Sequence, residues 1–139
     1  MEENEKKLSK VGIVSCSGED FPEGTISRLA TLEVLRHKKP FDTTTICLPL
    51  FIAGGEGDRM FAKNHPTITV DGCEKLCAKR ATEKYSGKVA YSINVRDFIK
   101  DSDEIKNKSN LNEDEKRITS EVADTILLKV DEILKKNNK

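Results

Sequence analysis

The feature that most constrains this chain is an alternation. Short β-branched runs are separated by stretches with helical periodicity. "VGIVSCSG", Val11 to Gly18, is an apolar run that closes on small residues. "FDTTTICLPL", "TITVDG" and "KVAYSINV" read as three more strands, the first of these closed by Pro49. Between them lie helix patterns. Ile26, Leu29, Ala30 and Val34 fall on one stripe, and Pro40 follows where that helix should stop. "AGGEGDRMFAKN" reads as a Gly-rich loop entering a short helix, and Pro66 closes it. "CEKLCAKRATEKYSG" reads as the next helix, ended by Gly87. Strands alternating with helices imply right-handed crossovers and a parallel sheet. The expected fold is a three-layer, Rossmann- or flavodoxin-like α/β domain of about four mostly parallel strands. Of the two orders, the flavodoxin type is expected, although the sequence does not fix it.

The clearest single element is C-terminal. Asn112 and Glu115 form a capping-box start. Ile118, Val122, Ile126, Val130 and Ile133 recur at helical spacing, which predicts a long helix over about 113–136. The expected organisation is a charged arm over residues 1–10 and one domain over 11–139.

Composition narrows the function classes. Charged residues make up 35% of the 139 and balance to zero net charge. A general pull toward nucleic acid or anionic membrane is not expected. The chain lacks tryptophan, so a base-stacking surface is not expected either. No run approaches the roughly 18 apolar residues of a membrane span. "MEENEKKLSK" lacks the apolar core of a secretory signal. The expected location is cytoplasmic, where thiols stay reduced.

Against that background the four cysteines stand out. Cys16 ends the first predicted strand, and Cys47 lies near the end of the second. Cys73 follows the third in "ITVDGCEKLCAKRA", and Cys77 comes one helical turn later. In an open parallel sheet, ligands bind beyond the carboxyl ends of the strands. Cysteines spread over some sixty residues of sequence thus fall at one predicted edge. Four thiolates suit tetrahedral zinc, and an iron–sulfur cluster also takes four. Cys73, at a predicted helix start, is the expected low-pKa thiol. Gly72 permits the sharp turn, and Asp71 can cap the helix. The competing reading is packing. Cys73, Leu76, Cys77 and Ala81 also fit a buried helical face, and free cysteine is often a small core residue.

At these residues the chain resembles the DGC-domain family, whose members are described as zinc-binding. The shared features are "CSG" at Cys16–Gly18, "CLP" at Cys47–Pro49, and "DGC…CA" from Asp71 to Ala78. They span roughly residues 11–98, and the C-terminal helix lies outside them. The resemblance implies a zinc site formed by Cys16, Cys47, Cys73 and Cys77. It implies no reaction. The alternative is a thiol-based redox or sulfur-transfer protein in which Cys73 reacts and Cys77 or Cys16 resolves. A third reading is an interaction module, using the C-terminal helix for a protein partner or a second copy.

Other motifs are weaker. "AGGEGD" matches no phosphate-binding fingerprint and reads as a flexible turn, with a lid as the functional alternative. No arginine follows Cys16 at the distance a cysteine phosphatase needs. Ser15, Ser17 and Thr25 could bind an anion there, or cap a helix. His37 is expected to be exposed at a helix end. His65 is expected at the opposite edge from the cysteines.

Overall fold

A computed structural model describes residues 10–18, 21–72, 74–101 and 112–137. Its sheet has four strands: β1 (Val11–Ser15), β2 (Thr43–Thr45), β3 (Thr67–Asp71) and β4 (Tyr91–Asn94). All pair in parallel, in the order β2-β1-β3-β4. The chain runs outward from β1 to β2, then crosses back to β3 on the other side. That reversal is the topological switch point of the flavodoxin-type order, and it opens a crevice at the carboxyl ends of β1 and β3.

Among the described residues, five α-helices cover the sheet: α1 (Pro22–Glu33), α2 (Leu48–Ile52), α3 (Glu56–Asn64), α4 (Cys77–Tyr85) and α5 (Glu113–Asn137). The period-two alternation of the strands divides them between two faces. Val11 and Ile13 of β1 and Ile68 and Val70 of β3 point to one side. There they meet Ile26, Ala30 and Val34 of α1 and Ile118, Val122, Ile126, Val130 and Ile133 of α5. Val14 points to the other side, among Ile46, Leu48, Phe51, Ala62, Ala78 and Ala81. The α5 stripe predicted from sequence, and the α1 stripe apart from the half-buried Leu29, are therefore the core of one layer. Past Glu33, α1 widens into a π turn over Val34–Lys38, in which Lys39 N–H reaches Val34 O at 2.8 Å.

The long helix starts as its sequence dictates. Asn112 N–H donates to Glu115 Oε1 at 2.8 Å, and Glu115 N–H donates to Asn112 Oδ1 at 2.7 Å. This is the reciprocal capping box. The apolar stripe of α5 is buried within the chain, so a partner meeting this helix would face mainly its charged side.

Two elements differ from the sequence expectation. The strand expected to run on to Pro49 stops at Thr45, and a short helix, α2, begins at Leu48. Pro49 opens that helix rather than closing a strand, because its fixed φ and missing N–H suit a first turn. Leu48 and Phe51 then bury in the second core. The helix expected from Cys73 starts only at Cys77. Cys77 is therefore the first residue of α4, not a residue one turn inside it. The expected arm, residues 1–10, lies outside the described residues apart from Lys10.

Candidate thiol site

Cys16 is the first residue after β1. Its N–H donates to Val70 O at 2.9 Å, extending the β1–β3 ladder past the strand end. Its half-buried sulfur accepts the Gly72 N–H at 3.2 Å. Ser27 Oγ of α1 lies 3.5 Å away on another side. Ser27 donates its single hydroxyl proton to Gly24 O at 2.6 Å. The Cys16 S–H is therefore the donor toward Ser27 Oγ, while the Gly72 N–H points at the sulfur.

That contact depends on Gly72. A Cβ there would stand 2.8 Å from Glu23 C and Gly24 N, both backbone atoms. Gly24 is constrained in turn, since a Cβ on it would overlap the Gly18 carbonyl. The "CSG" loop, the first turn of α1 and the "DGC" loop thus meet backbone to backbone. Side chains at Gly24 and Gly72 would hold them apart.

Asp71 ends β3, fully buried, and turns its carboxylate to α4. Oδ1 accepts the Ala78 N–H at 2.8 Å and Oδ2 accepts the Lys79 N–H at 3.2 Å. It caps α4 from outside the helix, satisfying N–H groups that have no partner within it. This also explains the late helix start: Leu76 adopts a left-handed backbone, φ 52°, and the carboxylate takes the first turn's donors. Burial pushes the Asp71 carboxyl above the usual range, against those backbone hydrogen bonds and the nearby Lys79 charge.

Cys47 follows β2 by two residues and is exposed. Its N–H donates to Asp58 Oδ2 at 3.1 Å, which ties the Gly-rich segment to the "CLP" motif. Cys77 is also exposed. Neither behaves as the small core residue that the packing reading required. Cys73 lies outside the described residues.

Backbone strain gathers at the same edge. Among the described residues, only Ser17 (φ 54°) and Leu76 (φ 52°) are non-glycine residues with positive φ. Ser17 follows Cys16 and Leu76 precedes Cys77. Such conformations cost on the order of 1–3 kcal/mol each and concentrate at functional sites.

Neither histidine shares the edge. His37 is exposed on the π turn, as expected. His65 precedes β3, stacks on the Phe61 ring at 4.0 Å between centroids and lies 3.2 Å from Phe61 O through Nδ1. A groove of about 490 Å³ between α1 and α5, lined partly by Glu33, His37 and Asp124, contains no cysteine. Sequence reasoning missed Ser27 and Asp58, which touch Cys16 and Cys47. Ser27 lies on a helix face that reads as core, and Asp58 sits in the first turn of α3, within a Gly-rich stretch that reads from sequence as a flexible turn.

A family model, the DGC domain, matches residues 12–124. The chain belongs to the DGC-domain family. The match runs past the motif-bearing strands into α5, so the DGC domain includes part of the helix that the short motifs leave out. No curated protein and no solved structure matches the chain significantly.

The donor set of this DGC domain suits a soft ion in its chemistry. Cys16 has a backbone N–H aimed at its sulfur, and Cys47 and Cys77 present exposed thiols after β2 and β3. Adjacent strands lie about 4.8 Å apart. Sulfurs around a tetrahedral zinc lie about 3.8 Å apart for bonds of about 2.3 Å. Among the described residues, which leave out Cys73, no group of three or more His, Cys, Asp or Glu is gathered to hold a metal ion.

Proposed function

We propose that this DGC-domain protein binds one zinc ion through Cys16, Cys47, Cys73 and Cys77. The supporting observation is the Gly72 N–H on Cys16 Sγ. It joins the residue before Cys73 to a thiol 56 positions away in sequence, at the switch point of the sheet. Cys16 and Cys73 would supply two of the ligands, and Cys47 and Cys77 the other two. Zinc with four thiolates supplies a closed, redox-inert centre that ties loops together. An iron–sulfur cluster is the less favoured occupant, since the half-buried Cys16 sulfur lies against backbone and a serine. The protein's own groups would hold the Cys16 sulfur between the Gly72 N–H and the Ser27 hydroxyl, and fix the Cys77 loop through Asp71. A cytoplasmic setting, with thiols kept reduced, belongs to this reading.

The test is elemental analysis of protein purified anaerobically without added metal or chelator. About one zinc per chain is expected, falling in each single Cys→Ser variant. Less than about a tenth of an equivalent of any metal in wild type, with four reactive thiols, would contradict the reading.

The same Gly72 contact favours a second reading, thiol-based redox or sulfur transfer with Cys73 reacting and Cys16 resolving. A thiol titrating clearly below about 8 in metal-free protein is its expected signature. Four ordinary thiols would count against it.

A further inference from the structure

A cavity of about 440 Å³ opens beside Cys47, between α1 and the loop that follows β2. Its volume lies in the range of small-molecule sites, roughly 300–1,000 Å³. Its lining is one-sided in charge. Arg28 of α1 and Arg36 of the π turn reach it, and among the described residues no carboxylate lines it. Both arginines are exposed, and neither forms an ion pair with a carboxylate among the described residues. Eight residues apart, they stand about 12 Å apart along a helix, with Leu32 between them on the same stripe. Arg36 also borders the groove that holds Glu33 and Asp124, so Arg28 is the less compromised cation. Asp58, which accepts the Cys47 N–H, does not line the cavity.

The hydroxyls around the cavity can be accounted for proton by proton. Thr31 donates its proton to Ser27 O at 2.8 Å and has none left for a ligand. Ser15 and Ser17 share one hydrogen bond at 2.7 Å, so one of their two protons remains available. Thr45 has a further hydroxyl at the rim. The free donors are therefore two guanidinium groups and two hydroxyl protons, with the Cys47 thiol at one end. Planar guanidinium forks with hydroxyls beside them match carboxylate and phosphate oxygens.

We propose that this cavity binds a small molecule carrying a carboxylate or phosphate group, held by Arg28 and Arg36 and by the free protons of the Ser15–Ser17 pair and Thr45. The bound molecule lies against Cys47. The site adjoins the proposed zinc centre but does not depend on it.

The test is calorimetric titration of the full chain, as purified, with inorganic phosphate and separately with acetate, against chloride at matched ionic strength. Binding of one oxyanion above chloride is expected, and the two arms identify which. Arg28→Gln should weaken it roughly tenfold, and Arg28→Gln with Arg36→Gln should abolish it while metal content is unchanged. Arg28→Lys, which keeps the charge and loses the fork, should fall between; it carries the test if the glutamine variants lower the melting temperature. Oxyanion binding no stronger than chloride would overturn the proposal. So would binding retained by the double variant, which would place the anion on the metal or elsewhere. Absence of metal with oxyanion binding intact would contradict only the zinc reading.

Discussion

At the scale of single residues, Asp71 and Gly72 do different work within one motif. Asp71 spans from β3 to α4, and Asp71→Ala should cost about 1–3 kcal/mol in chemical denaturation, from lost charge-assisted caps. Its carboxyl is raised by burial, so the folded state holds the proton more tightly than the unfolded state. Stability from this group is thus fully present below the unfolded value of 3.8 and is lost as pH rises through the folded value. Wild type should therefore gain on Asp71→Asn as pH is lowered through the Asp71 titration, measured as the difference in unfolding free energy. An unchanged difference would mean that Asp71 titrates normally. Gly72 acts through its lack of a Cβ. Gly72→Ala should destabilise by about 1–3 kcal/mol, because backbone atoms at 2.8 Å cannot give way as a flexible side chain can. It should also weaken metal retention by displacing the N–H from Cys16. Both residues were legible as a turn and a possible cap. Which helix position Asp71 would serve was not, because the left-handed Leu76 leaves no trace in periodicity.

At the scale of elements, α5 holds a whole layer in place. Ile126 and Val130 are fully buried against α1 and the sheet. Ile126→Ala should cost about 2–5 kcal/mol, read from the denaturation midpoint. Asn112→Ala should cost about 0.5–2 kcal/mol by removing half of the capping box. Truncation at residue 110 should unfold the protein rather than merely release a partner, since it removes one side of the core. Here sequence and structure agree closely: the period of Ile118 to Ile133 and the Asn112–Glu115 pair survive because each is a local rule. The second strand shows the opposite case. "TTTICLPL" is β-branched and then apolar throughout, so periodicity could not separate a three-residue strand from the helix that Pro49 begins. The tertiary burial of Leu48 and Phe51 decides it.

At the scale of the whole molecule, the parallel order β2-β1-β3-β4 explains how distant motifs come together. The alternation of strands and helices predicted a parallel sheet, and with it a shared carboxyl edge. The contacts within that edge, Gly72 to Cys16 and Asp58 to Cys47, span 56 and 11 positions and depend on tertiary packing that no local pattern encodes. A metal that binds only the folded chain should stabilise it, by about 2.7 kcal/mol when free metal is a hundredfold above its dissociation constant. Chelator should lower the melting temperature correspondingly. The most direct measurement is a count of reactive thiols in native, metal-loaded protein, repeated after a zinc chelator is added. The four-cysteine account predicts almost none before chelation and four after it. Four thiols reacting at once in protein that still carries its zinc would contradict it.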